Sequence, residues 1–250
     1  MSGRVTRGDL RRMAARTFLL QATFNYERQQ GLGWAWALQP ALERLYPDPA
    51  ERRERLAEHT AYFNTQPTLA SLALGVAAGL EERRAAGEGL DAVGTSRVKS
   101  VLGSALAALG DRLFWFTLRP FAACLGALLA LSGSWVGALA LWLCYNVVHL
   151  RVRCSGVGWG YRAGPEVMSG AVRRRFERLT AVLGVLGAAL VGVTIAFLLA
   201  PGGSPQPLVF QVALAAGLGL GLVAAQRPRP SPTEWALGVG ALCLAATWLR

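Results

Sequence analysis

The stretch 120–148 constrains this 250-residue chain more than any other. Between Pro120 and His149 it carries no Asp, Glu, Lys or Arg, and Arg119 and Arg151 close it. A bilayer core about 30 Å thick is crossed by about 20 helical residues. The run is therefore long enough to cross with tilt. A second charge-free stretch, 179–226, is interrupted by Pro-Gly-Gly-Ser-Pro-Gln-Pro at 201–207 and reads as two spans and a turn. Residues 235–249 read as a marginal last span. The expected fold is all-α: a polytopic membrane protein with N-terminal amphipathic helices, re-entrant helical hairpins and about four membrane spans.

Charge distribution supports this class. Only 16% of the chain is charged and 53% is hydrophobic, against about 25% charged in soluble domains. The net charge is +11, a value that elsewhere suggests nucleic acid. Here the arginines flank apolar runs, as the positive-inside rule expects, so the partner is the lipid bilayer and no nucleic acid is expected. The segment 151–178 is basic and expected to be cytoplasmic, as is 227–234. Cys124, Cys144, Cys154 and Cys243 lack metal-type spacing; they read as small hydrophobes rather than a disulfide framework. The first 17 residues lack the apolar core of a secretory signal.

Three regions follow. Residues 1–60 read as an N-terminal amphipathic, cytoplasmic helical segment. Residues 61–119 read as a re-entrant hairpin region, and 120–250 as a transmembrane helical bundle with the cytoplasmic loop 151–178. Thr6-x-x-Asp9 is a cap for a helix starting near Gly8. Leu10, Met13, Phe18 and Leu20 form its apolar side, facing either an anionic membrane surface or the rest of the protein. Trp34, Trp36 and Tyr46 are expected at the headgroup level. Asp48-Pro49 opens a polar helix over 48–63. The apolar stretches 68–80 and 98–110 are too short to span comfortably and suggest re-entrant elements around a polar site.

Three motifs carry the candidate chemistry. Phe24-Asn25-Tyr26-Glu27-Arg28-Gln29-Gln30 gathers amides and charges beside aromatics, groups suited to bridging sugar hydroxyls and covering a sugar face. The alternative is an ordinary amphipathic helix with Glu27 paired to an arginine. Tyr62-Phe63-Asn64-Thr65-Gln66-Pro67 places three uncharged hydrogen-bonding side chains before a proline, as at a broken helix in a transporter site. The alternative is a helix cap by Asn64 or Thr65. Leu109-Gly110-Asp111-Arg112 sets a charged pair beside Phe114-Trp115-Phe116; intramembrane charge is costly and tends to be functional. The alternative is an Asp111–Arg112 or Asp111–Arg119 ion pair. His59 has no metal-type neighbours, and His149 reads as an interfacial residue at a span end. No catalytic constellation, metal site or cofactor motif is present. Gly126, Gly133, Gly137, Gly184 and Gly187 fit close helix packing.

Together these residues resemble the IID subunit of the mannose–fructose–sorbose family of the bacterial phosphotransferase system. The match runs over about residues 8–185. It includes Asn25-Tyr26-Glu27-Arg28-x-Gln30, Leu45-Tyr46-Pro47, His59-x-x-Tyr-Phe-Asn-Thr-Gln-Pro67, Leu80-Glu81-Glu82-x-Arg84 and Val98-Lys99. It continues through Gly110-Asp111-x-x-Phe114-Trp115, Ser132-Gly133-Ser134, Tyr145-Asn146 and Gly158-x-Gly160-Tyr161. The resemblance implies a permease subunit of the bacterial inner membrane, not catalytic alone, that forms a hexose pathway with IIC. IIB, charged by IIA, phosphorylates the arriving sugar. It also implies a trimer of IIC–IID pairs, elevator-like movement, and no phosphohistidine at His59. The expected sugar-binding residues are Asn25, Glu27, Arg28, Asn64 and Gln66, with His59 and Asp111 supporting a re-entrant loop. Arg112 stands where the family usually has proline, and the tail is shorter than usual. The alternative function is a non-transporting membrane dock for phosphocarrier proteins. An unrelated membrane anchor is a third reading; convergence of the 63–67 and 110–115 motifs in space excludes it.

Overall fold

The computed structural model describes residues 4–89, 91–168 and 171–198. Among them every regular element is helical. The second half of the 179–226 stretch, the segment 227–234 and the marginal span 235–249 lie outside the described residues.

The N-terminal helices start where short polar side chains satisfy free amides. Helix α1 (Arg7–Arg16) opens at Thr6, whose hydroxyl accepts from Asp9 N while the Asp9 carboxylate accepts from Thr6 N, a reciprocal capping box. Helix α2 (Gly31–Leu45) contains Pro40. A proline inside a helix leaves the carbonyl four residues back without its amide. That carbonyl belongs to Trp36, and Arg16 Nη1 donates to it at 2.7 Å while the guanidinium lies 4.9 Å over the Trp36 ring. Helix α3 (Pro49–His59) opens at Asp48, which accepts from Glu51 N, with Pro49 in the first turn.

Helix α4 (Ala70–Ala85) is the axis of the core. Every residue from Ala70 through Ala78, then Leu80 and Glu81, is buried. A helix apolar all round must be enclosed on all sides, and α2, α5 (Ala92–Gly110) and α7 (Val136–Ala163) enclose it. Each fully buried Leu or Val contributes about 1.5–3 kcal/mol of transfer free energy. The α4–α7 crossing is held at backbone distance by three glycines. A Cβ at Gly75 would lie 2.0 Å from Val157 O, one at Gly156 2.0 Å from Ser71 Oγ, and one at Gly160 1.9 Å from Leu72 O.

The stretch 120–148 is not one span. Helix α6 (Arg119–Leu131) ends at Ser132-Gly133, where Gly133 has φ +84°, and α7 restarts at Val136. Gly is the residue that turns there without a Cβ clash. The two arms then pack tightly: a Cβ at Gly137 would meet Gly126 O at 2.4 Å, the packing role expected of those glycines. The long continuous helix lies earlier instead. Helix α5 runs through a π-helical segment (Asp111–Leu118) into α6 without interruption. So 68–80 and 98–110 fall in the two arms of a helical hairpin, but the chain is not broken at Gly110-Asp111. Ala92–Leu131 and Val172–Ile195, the latter within α8 (Ala171–Leu198), are the two described stretches long and apolar enough to cross a membrane. Trp142, Val147, Val182 and Val185 are exposed on α7 and α8, and Trp135 just before α7, an apolar surface suited to lipid or a partner.

Two aromatics expected at the membrane surface are core residues. Trp34 is fully buried against Phe63, with ring centroids 4.1 Å apart, and Tyr46 is buried with its hydroxyl donating to Glu81 Oε2 at 2.7 Å. Each polar ring atom has a protein partner, so neither ring needs the headgroup region. Trp36 alone of the three is exposed.

Gly160→Val is expected to lower unfolding stability by about 3 kcal/mol or more, since the added methyls meet backbone rather than a movable side chain. Gly158→Ala, where only the Arg162 guanidinium is near at 3.6 Å, is expected to be neutral or to gain up to about 1 kcal/mol of helix propensity. Thermal unfolding of the purified variants measures both.

Candidate functional site

The first two motifs meet through their backbones. Residues 20–30 form a tight loop in which Asn25 and Gln29 exchange backbone hydrogen bonds. That loop then pairs with the 60–66 segment: Phe63 N donates to Arg28 O at 3.3 Å and Gln30 N to Phe63 O at 2.9 Å. Arg28 Nη1 adds a bond to Thr60 Oγ1 at 3.2 Å. The junction is closed by an amide clamp. The buried Gln30 side chain donates to Thr65 O at 2.7 Å and accepts from Thr65 N at 3.1 Å. In a dry interior an unmade backbone bond costs about 1–3 kcal/mol, so this side chain takes the place of a strand partner.

The 63–66 segment lies on α5. A Cβ at Gly103 would sit 3.1 Å from the Phe63 ring, and one at Gly110 2.6 Å from Gln66 Cβ; Thr65 Oγ1 donates to Gly103 O at 2.8 Å. Two glycines seven residues apart thus form the seat of the Asn-Thr-Gln-Pro segment. The 110–115 motif is adjacent, so the motifs converge, which excludes the reading as an unrelated anchor.

The predicted site residues divide into two groups. Gln66 is buried, and its Oε1 accepts from Thr68 N at 2.7 Å and Leu69 N at 3.0 Å. Gln66, rather than Asn64 or Thr65, caps the turn that leads into α4. Asn64 is exposed, and among the described residues its side chain has no hydrogen-bond partner. Asn25 is half-buried, with Oδ1 accepting from Arg28 N at 2.9 Å. Glu27 and Arg28 are exposed, and Glu27 makes no ion pair among the described residues. Tyr26 between them is 97% exposed, and Gln29 holds a left-handed φ of +52°. A non-glycine residue held there costs about 1–3 kcal/mol and often marks a functional loop.

His59 and Asp111 stand apart. His59 is buried, lies 3.3 Å from Glu81 through Nε2, and accepts at Nδ1 from Trp34 Nε1 at 3.5 Å. An Nδ1 that accepts places the ring proton on Nε2, toward Glu81. Its imidazole fills the buried space between Trp34 and Glu81. Asp111 is half-buried in the π segment and forms no ion pair with Arg112 or Arg119 among the described residues. Thr117 Oγ1 donates to Arg112 O at 2.7 Å, satisfying a carbonyl in the widened turn. Arg112 itself is exposed on a helical run that continues through it. His149 is not at a helix end: it lies inside α7, bonds Thr68 Oγ1 at 2.8 Å and stacks on Tyr145. No group of three His, Cys, Asp or Glu among the described residues is arranged to hold a metal ion.

One buried cation matters here. Lys99 donates to His59 O at 3.0 Å and Ala61 O at 3.1 Å, and lies 5.3 Å over the Trp34 ring and 5.5 Å over the Phe63 ring. It ends α3 and starts the site segment with one ammonium. The signal was its singularity: it is the one lysine in a chain with 26 basic residues. A compact ammonium fits between two carbonyls and two rings where a planar guanidinium does not.

Residues 4–200 match the family described as "PTS system mannose/fructose/sorbose family IID component". The chain belongs to that family. The mannose-specific EIID component of Escherichia coli K12 is 37% identical over 193 residues, covering 77% of this chain and 68% of that one. The sorbose-specific EIID component of Klebsiella pneumoniae is 38% identical over 192 residues, covering 77% and 70%. A cryo-EM structure of the mannose transporter ManYZ with microcin E492 has a similar fold, with a TM-score of 0.63 at 29% identity, covering 99% of this chain and 98% of that one. This IID chain is thus an all-α membrane component of a phosphotransferase system.

Two carboxylates in its N-terminal half are held ionised by their partners. Burial opposes ionisation of Asp9, but hydrogen bonds from Thr6 and Arg44 outweigh it and hold the carboxyl below its usual range. Burial likewise opposes Glu58, and Arg84 and then Arg55 outweigh it; Arg84 Nη1 is 2.6 Å from Glu58. A carboxylate lowered in the folded state stabilises fully above its unfolded pKa, about 4, and loses that contribution as pH falls through the folded value. Thermal stability is therefore expected to hold from pH 7 to about 5 and to fall below about pH 4. Asp9→Asn is expected to flatten that fall in an unfolding scan against pH.

Proposed function

We propose that this IID chain forms, with a IIC subunit, the pathway for a mannose-type hexose across the bacterial inner membrane, as a multi-pass subunit not catalytic by itself. IIB, recharged by IIA, phosphorylates the sugar on arrival, and the pairs assemble as a trimer. Family membership supports this reading. The observation that carries it is the junction of the 25–30 loop with the 60–66 segment. Buried Gln30, Thr65 and Gln66 spend their hydrogen bonds on backbone. That leaves Asn64 and Glu27 free at the surface, with Arg28 exposed while bonded to Thr60 and Asn25 bracing the loop.

In this proposal Asn64, Asn25, Glu27 and Arg28 face the sugar or the IIC groups that hold it. Amides and carboxylates bridge vicinal hydroxyls, and a guanidinium supplies a planar fork of donors. Gln66 acts by fixing where Asn64 sits. His59 and Asp111 act one layer back, His59 under the segment and Asp111 at the π turn beside its seat. An exposed Arg112 on a continuous helix is compatible with the transport reading.

Sugar uptake by the reconstituted IIC–IID pair, supplied with IIA and IIB, tests this. Asn64→Ala is expected to reduce uptake by a factor corresponding to about 1–3 kcal/mol without lowering the unfolding temperature. Gln30→Ala is expected to lower the unfolding temperature as well. Wild-type uptake by both Asn64→Ala and Glu27→Gln would remove these residues from the site.

A further inference from the structure

We propose that the groove between α7 and α8 is a binding site for an anionic phospholipid of the surrounding membrane. The groove encloses about 610 Å³, within the size range of ligand pockets. Its floor is apolar, formed by Val148 and Val152 of α7 and Phe176 and Leu179 of α8. Its polar side chains are Arg151, Arg162 and Arg175, and no carboxylate lines it.

Those three guanidiniums are exposed, and among the described residues none has a hydrogen bond or ion pair. The nearby Glu177 is engaged by Arg173 at 2.7 Å. Cationic side chains at one apolar groove pose a physical conflict for most occupants. A soluble anion would leave the valine and phenylalanine floor in water. An apolar helix would strip water from three unpaired charges. An amphiphile with an anionic head satisfies both, through charge-assisted bonds to its phosphate and acyl chains laid on the floor.

The placement fits as well. The apolar stretch of α8 begins at Val172, so Arg175 falls in its first turn, at the height of a headgroup. The turn Gly164–Met168 brings the end of α7, with Arg162, to the same level. Arg151, about 16 Å away along α7, lines the other end of the same groove. The segment 151–178 was expected to be cytoplasmic, the side on which anionic lipid attracts basic groups.

The test uses the full chain purified in mild detergent with its co-expressed IIC subunit. Native mass spectrometry and thermal unfolding are run with dioleoyl phosphatidylglycerol, dioleoyl phosphatidylcholine and inorganic phosphate. Phosphatidylglycerol is expected to be retained and to raise the unfolding temperature, and the other two are not. The triple variant Arg151→Gln, Arg162→Gln, Arg175→Gln is expected to retain at least fivefold less phosphatidylglycerol. Val148→Trp, which fills the groove and leaves the arginines in place, is expected to do the same. Equal retention of the two lipids by the wild-type protein overturns the proposal, and so does stabilisation by phosphate alone. Wild-type retention by the triple variant overturns it too. A cross-link from Phe176→Cys to the IIC subunit also overturns it, because the groove is then filled by protein.

Discussion

The close crossing of α4 and α7 is the constraint on which the rest of the molecule depends. With Gly75, Gly156 and Gly160 at the contact, the helices touch backbone to backbone. Close van der Waals approach of the two backbones adds to the burial of the apolar α4 side chains. That approach sets where everything on α7 can reach. Arg153 meets the carbonyl of Thr17 at the end of α1 and lies 4.9 Å over the Phe18 ring. His149 meets Thr68 and Tyr161 meets Glu82. Glu82 in turn accepts from Val5 N at 3.0 Å. One helix crossing therefore ties the N-terminal segment, the head of α4 and the apolar hairpin together.

The candidate site is built by the same economy of polar groups. Around α4 water is excluded, so each amide of an irregular segment needs a protein partner. In the 60–66 segment the Gln30 side chain serves Thr65 N and O, Lys99 serves Ala61 O, and the 28–30 backbone serves Phe63, while Gln66 serves the amides of Thr68 and Leu69 that follow. Because those residues are consumed by the backbone, the groups left over define what the surface can recognise. The left-handed Gln29 is part of this arrangement, since its backbone closes the loop onto Asn25.

Local features of the sequence were legible because their causes are local. The capping box of Thr6 and Asp9 and the start at Asp48-Pro49 need only neighbours three residues apart. The packing of Gly126 against Gly137 was readable from small residues in an apolar run. The break at Ser132-Gly133 was not, because its flanks carry no charge and a hydropathy argument sees only an unbroken stretch. Trp34 and Tyr46 looked like interfacial aromatics because their buried partners, His59 and Glu81, lie 25 and 35 residues away. Gln66 was picked out for its chemistry, and the structure gives that chemistry to the backbone.

By itself, the sequence determined that the chain is helical and lipid-embedded, where its N-terminal helices begin, and which motifs belong to the IID pattern. Those are properties of composition, period and short spacing. Only the tertiary structure decided which polar side chains are used up and which are free. Hydrogen-bond partners in a folded chain are set by proximity in space. The glycine crossings that create that proximity, at 75 with 157 and at 103 with 63, join positions 40 to 82 residues apart, beyond the reach of any local pattern.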